Sequence, residues 1–279
     1  MEKPIFSNKY RQTKNIPNMK QFFFLFACVL AGTTGFSQDN LSRFKNDSIM
    51  DGKDTLRYRI LYPDSFDGEK SYPLFIYLHG SGERGHDNTS QLKYVVPFLE
   101  SIEKQNPCII LAPQCPDTMD WAKIKVAPGD YFSTKRAIVF YPESVPTAPM
   151  RLLLSLTKKW QSEKFVDRNR VYVGGLSMGG MGTYELLVRK PVPFAAAFVI
   201  CGGTNVITLK QKLGKTPIWI FHGTNDPVVS VDYARQVVSA LQLEKKEVKY
   251  TEYLGVGHDS WIRAFQEKDL IPWLFRHEL

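Results

Sequence analysis

Cysteine and histidine are scarce in this chain, and it has no long apolar run and no block of like charge. Four cysteines occur in 279 residues. Cys28 sits in an apolar segment near the N-terminus, leaving Cys108, Cys115 and Cys201 as an odd set. Cys108 and Cys115 bracket the run Ile-Ile-Leu-Ala-Pro-Gln. Extended at ~3.3 Å per residue, that run separates them by roughly 23 Å, beyond disulfide reach. A disulfide-dense scaffold is thereby excluded, and buried free thiols are expected. No Cys/His spacing suits a zinc site. The longest apolar run, Phe22 to Ala31, is about half the ~20 residues a membrane-spanning helix needs. Basic residues are dispersed and not interleaved with aromatics, which gives nucleic-acid binding no support.

The apolar run has a different reading. Met19-Lys20 precedes it, and small and polar residues follow to Ser37. A positive start, a short apolar stretch and small residues at Gly35 and Ser37 are the pattern of a secretory signal peptide. Cleavage is expected between Ser37 and Gln38, with Met19 as the expected start. A rival reading makes Cys28 a lipidated residue after Leu25-Phe26-Ala27. Residues 1–37 hold five basic residues against one acidic, so their removal lowers the net charge from +8 to +4. Residues 38–279 suit one domain with a sizeable core, destined for secretion or the periplasm.

Within that span, apolar strand patterns alternate with helical ones. Leu74–Leu78, Cys108–Ala112, Val171–Val173, Phe194–Ile200 and Pro217–Phe221 are near-continuous apolar runs. Strands of that kind are buried on both faces, which means a mostly parallel sheet covered by helices. Leu56–Tyr62 and Val248–Tyr253 alternate, as strands near an edge do. Helical patterns occupy 150–160, 181–190, 231–242, 261–265 and 271–275. The segment 113–149 reads as a long irregular stretch rich in proline and aromatics, including Trp121, Tyr131, Phe132, Phe140 and Tyr141.

The chemistry centres on Ser177. Gly175-Leu-Ser-Met-Gly179 fits G-x-S-x-G, preceded by an apolar β-branched run and followed by a helical pattern. That context turns the pattern into a nucleophile elbow, a sharp strand-to-helix turn that projects a serine hydroxyl. A serine is a weak nucleophile until a base takes its proton, and the base needs an orienting carboxylate. His258, flanked by glycine after the last strand, is the candidate base. Asp226, in His222-Gly-Thr-Asn-Asp-Pro227, is the candidate acid; Asp259 and Asp232 are the contenders. His79 and His222 end apolar strands directly before glycine and read as loop-bracing residues. The oxyanion needs two backbone donors. Met178, at the helix start, supplies one. Ser81, in His79-Gly-Ser-Gly-Glu-Arg-Gly85, is the choice for the other. Trp121 is the candidate substrate contact.

Tyr58-Arg-Ile-Leu-Tyr-Pro63, His79-Gly-Ser-Gly-Glu-Arg-Gly-His-Asp-Asn88, Ala112-Pro-Gln-Cys-Pro116, Gly175–Gly180, Cys201-Gly-Gly203, His222–Asp226 and Gly257-His258 follow in order. Together they resemble the secreted α/β-hydrolases labelled predicted peptidases or dienelactone-hydrolase-like esterases. These are similar to the phospholipase/carboxylesterase and feruloyl-esterase group. The resemblance covers about 50–275. It implies an α/β-hydrolase fold, a triad of Ser177, Asp226 and His258, an oxyanion hole at Ser81 and Met178, and no metal or organic cofactor. It does not fix the substrate; the aromatic 121–141 loop, as a wall suited to sugars or phenolic rings, makes short-acyl or hydroxycinnamoyl esters of carbohydrates the expected kind. A peptidase on the same triad and a non-catalytic binding module remain alternatives. The chain departs from the group in its longer basic and aromatic segment after Trp121.

Overall fold

The computed structural model describes residues 41–127 and 137–279. The expected leader, its cleavage site, Cys28, Tyr131 and Phe132 lie outside the described residues. The strands are β1 (Phe44–Asp51), β2 (Asp54–Leu61), β3 (Tyr72–Leu78), β4 (Ile109–Gln114), β5 (Ile124–Ala127), β6 (Ala137–Phe140), β7 (Val166–Leu176), β8 (Ala196–Ile200), β9 (Ile218–Gly223) and β10 (Val248–Tyr253). The helices are α1 (Val96–Gln105), α2 (Ala148–Gln161), α3 (Met178–Arg189), α4 (Val206–Lys212), α5 (Val231–Leu243), α6 (Trp261–Ala264) and α7 (Leu270–Phe275).

Eight strands form one sheet in the order β1-β2-β4-β3-β7-β8-β9-β10. β2 runs antiparallel to β1 and β4, and the pairs from β4 to β10 are parallel. β3, β4, β8 and β9 are buried along their whole length, as the continuous apolar runs predict. Side-chain alternation divides β3 between two cores. Leu74, Ile76 and Leu78 face a layer with α2, α3 and α5, whereas Phe75 and Tyr77 face one with α1 and α7. Three helices start on capping signals. Thr147, Asn205 and Ser230 accept the backbone N–H groups of Met150, Thr208 and Asp232 at the starts of α2, α4 and α5.

β2 is partly exposed and lies next to the edge, as its alternation predicts; the mostly exposed β1 covers it there. One expectation is corrected. The stretch 113–149 is not wholly irregular. β5 and β6 pair antiparallel as a separate two-stranded sheet, with Ile124 opposite Phe140 and Val126 opposite Ile138. Four-residue strands carry too short an alternation to stand out beside prolines. No helix among the described residues is long and apolar enough to cross a membrane.

Candidate active site

The loops that carry chemistry leave the carboxyl ends of four strands. β3 runs into His79-Gly80, β7 into Ser177, β9 into the loop holding Asp226, and β10 into the loop holding His258. In open α/β sheets ligands bind at that edge. The strand order places β3 and β7 side by side, with β8, β9 and β10 following in turn.

Ser177 adopts φ 53° and ψ −118°, a conformation L-residues rarely take. Its N–H is held by the Ile200 carbonyl at 2.8 Å. The strain persists because α3 lies hard against the sheet. A Cβ on Gly179 would come within 2.0 Å of the Leu78 carbonyl oxygen, and one on Gly175 within 2.6 Å of the Gly179 backbone. Glycine at these two places is thus required by close approach.

The elbow presents Ser177 Oγ 2.8 Å from His258 Nε2. His258 Nδ1 lies 2.7 Å from Asp226 Oδ2. A carboxylate only accepts, so the imidazole proton sits on Nδ1 and donates to Asp226. Nε2 is left with a lone pair for the Ser177 hydroxyl. Between the contending carboxylates the geometry is decisive, because Asp259 is exposed and Asp232 bonds Ser230 within the first turn of α5.

Asp226 is almost fully buried and satisfied by four donors. The N–H groups of Val228 and Val229 donate to Oδ1 at 2.8 and 2.9 Å. His258 and His222 share Oδ2, with His222 Nε2 at 3.2 Å from it and 2.9 Å from the Val229 carbonyl. Both partners of that nitrogen accept, so His222 carries its proton on Nε2. Burial alone would raise the Asp226 carboxyl, but hydrogen bonds from His222 and His258 hold it below the usual carboxylate range. For His258, burial disfavours the imidazolium, and the hydrogen bond to Asp226, then the interaction with Cys201 and the charge of Asp226, outweigh it. Its pKa therefore lies above the ordinary histidine value.

Two helix-opening residues flank the cavity at the serine. Met178 opens α3, and Ser81 opens a short 3₁₀ turn, Ser81–Glu83. Neither N–H has an acceptor within its own helix, because the first N–H groups of a helix are unpaired by construction. Both residues line one cavity with Ser177. The turn is braced from beneath. Glu83 Oε2 accepts the Gly80 N–H at 2.9 Å. His79 accepts the Cys115 N–H at Nε2, 2.9 Å away, and so donates from Nδ1 to the Gly80 carbonyl at 2.6 Å. Burial pulls the His79 pKa down to about 4, which keeps it neutral. Gln114 accepts the Asn88 N–H at 2.6 Å and donates to Asp87 at 2.7 Å. The His79–Asn88 and Ala112–Pro116 motifs are thus the two halves of one clamp.

Trp121 is corrected. It is fully buried, its indole N–H donates to the His79 carbonyl at 3.3 Å, and its side chain lies against Gly182 of α3. It offers no surface to a substrate and instead props the turn carrying Ser81. A lone tryptophan in a loop has no periodicity from which its burial could be read. Cys201 and the second histidine on Asp226 were not legible as site residues. The Cys201 thiol, the Asp226 carboxylate and the His258 imidazole lie within 4.8 Å of one another. Cys201-Gly-Gly203 at a strand end was the available signal. A larger cavity of about 460 Å³, between Lys190, Phe194, Pro217 and Glu247, opens at the amino ends of the strands and touches none of these groups.

A mostly parallel sheet with a strained serine between strand and helix, and a histidine and buried aspartate from later loops, is the architecture of an α/β-hydrolase. The chain belongs to the phospholipase/carboxylesterase family, whose pattern it matches over residues 67–269. It is 28% identical to acyl-protein thioesterase 1 of Candida albicans over 211 residues, covering 69% of this chain and 87% of that protein. It is 40% identical over 70 residues to the bifunctional acetylxylan esterase/xylanase XynS20E of Neocallimastix patriciarum, covering 25% of this chain. The chain spans only 10% of that relative's length. Among solved structures, a thermostable esterase superposes with a TM-score of 0.73 at 33% identity, over 86% of this chain and 64% of that one.

Proposed function

We propose that the protein is a serine carboxylic-ester hydrolase working through Ser177, His258 and Asp226. The observation that carries this reading is the unbroken hydrogen-bond chain from Ser177 Oγ through His258 to Asp226 at 2.8 and 2.7 Å. As Oγ attacks the ester carbonyl carbon, its proton passes to His258 Nε2 and the acyl–Oγ bond forms. The carbonyl oxygen, now negative, accepts from the Ser81 and Met178 N–H groups. His258 then gives its proton to the departing alkoxide as the ester C–O bond breaks. Water enters, loses a proton to the same nitrogen and attacks the acyl-enzyme. The acid leaves and Ser177 regains its hydrogen.

The substrate we propose is a short-acyl ester, with a carbohydrate as the alcohol and hydroxycinnamate as the alternative acyl group. Trp121 is buried and offers a phenolic ring no contact, so the short acyl group leads. The apolar run before Ser37 supports export to the periplasm or medium, and cell fractionation checks it. The test of the activity is p-nitrophenyl acetate hydrolysis by wild type beside Ser177→Ala, with labelling by an active-site phosphonate. Hydrolysis and labelling that both vanish in the variant are expected. Equal background rates in both, with aminoacyl anilides cleaved instead, would move the assignment to a peptidase. No labelling at all would leave a binding module.

A further inference from the structure

The hairpin of β5 and β6 has no place in the triad, yet it walls the space beside Ser177. Ile124 pairs with Phe140 and Val126 with Ile138, so these four side chains share one face and Lys125 and Val139 share the other. The first face packs on Met181 of α3 and Val229 of the Asp226 loop. The hairpin is pinned there by Tyr233 of α5. The Tyr233 hydroxyl accepts the Ile138 N–H at 2.8 Å and donates to the Ile138 carbonyl at 3.3 Å, while its ring meets Phe140 edge-on at 5.6 Å.

Between hairpin and elbow lies a cavity of about 150 Å³. Ile124, Val126, Ile138, Met181, Val228 and Val229 give it an aliphatic lining, and Ser177, Met178 and Ser81 close one end. The one charged group among the described lining residues, Asp120, is paired with Arg84 at 3.3 Å. His258 is not part of the lining. That asymmetry assigns the cavity. The leaving oxygen must take its proton from His258 Nε2, so the alcohol lies on the histidine side. The carbonyl oxygen lies between the Ser81 and Met178 amides. The third substituent of the carbonyl carbon, the acyl chain, is then the one directed to the hairpin.

We infer that this cavity is the acyl-recognition site and that it selects unbranched aliphatic acyl groups of about two to six carbons; the inference rests on Ser177 being the nucleophile. The length follows from the volume. An aliphatic cavity of about this size admits benzene, a six-carbon ring. A long fatty chain exceeds it, and so does the nine-carbon skeleton of a hydroxycinnamoyl group. Apart from Ser177 and Ser81 at its end, the described lining offers no side-chain hydrogen-bond donor for a phenol and no unpaired charge for an acidic acyl group.

The test uses the full-length protein and p-nitrophenyl esters of acetate, butyrate, hexanoate, decanoate and ferulate. The expected kcat/KM peaks at butyrate or hexanoate, with decanoate and ferulate at least about tenfold lower, the size of discrimination that methylenes in an apolar pocket support. Val126→Trp, at the half-exposed mouth, should lower the hexanoate-to-acetate ratio by about tenfold or more. Val139→Trp, on the outer face of the same strand pair, should leave that ratio within about twofold. A ratio unmoved by Val126→Trp, or decanoate or ferulate matching butyrate, would overturn the assignment. Should wild type take up the phosphonate and cleave acetate with no chain-length preference, only the acyl-site assignment falls. Should it neither label nor cleave any ester, the nucleophile reading falls with it.

Discussion

Trp121→Ala separates a structural tryptophan from a substrate contact by magnitude. The side chain is completely buried. Burying a tryptophan removes roughly 150–250 Å² from water. At ~25 cal/mol per Å² this contributes about 4–6 kcal/mol, and measured truncations of large aromatics cost about 3–5 kcal/mol. The variant also strips the His79 carbonyl of its indole donor. The expected loss is therefore about 4 kcal/mol. For a domain of this size it lowers the melting temperature by roughly 8–16 °C. Urea titration followed by circular dichroism reads it as a lower midpoint at an unchanged m-value. Trp121→Phe keeps most of the contact with Gly182 and loses the N–H donor, so its cost should be nearer ~1–2 kcal/mol. Activity should fall in kcat rather than KM, because the His79-Gly80-Ser81 turn loses its prop. A stability loss below about 1 kcal/mol, with the defect confined to KM, would refute the burial argument and restore a substrate contact.

The remaining predictions concern protonation. The base must be neutral to accept the Ser177 proton, and the Asp226 pair raises its pKa, so the acid limb of kcat/KM should lie above 6.5, the ordinary histidine value, with activity rising as pH rises through it. Asp226→Asn should lower kcat by up to about 10⁴-fold and bring the limb down toward that ordinary value. A limb unmoved by the substitution would argue against the pair. His222→Phe takes one donor from Asp226 and should cost roughly 10–100-fold in kcat, the worth of a hydrogen bond to a charged group. It makes the carboxylate a stronger acceptor, so the limb should move to higher pH; a loss of stability with the limb in place would reduce His222 to packing.

Much of the fold was legible because buried parallel strands have to be apolar throughout. The runs at 74–78, 108–112 and 217–221 coincide with β3, β4 and β9 within a few residues. The elbow was legible for a related reason. The glycines at 175 and 179 answer a backbone contact close enough to demand them, so the constraint is written in the residues themselves. β1, α1, α4 and the β5–β6 hairpin escaped. β1 is mostly exposed and β5 and β6 are four residues long, so burial imposed little pattern on them.

The sequence by itself determined the kinds of groups and their order along the chain: a serine in an elbow, then an aspartate, then a histidine, each after a strand. Those features are local, because strand burial and turn sterics act within a few residues. Which carboxylate meets the histidine, that a second histidine shares it, that Trp121 is a prop and that the hairpin walls a small aliphatic cavity were decided only in the tertiary structure. Each of these depends on residues from distant segments meeting across the sheet edge. Asp226 and His258 are 32 positions apart, and Ile138 and Tyr233 are 95 apart. Contacts at such separations are set by strand order and packing, and no pattern within a short window encodes them.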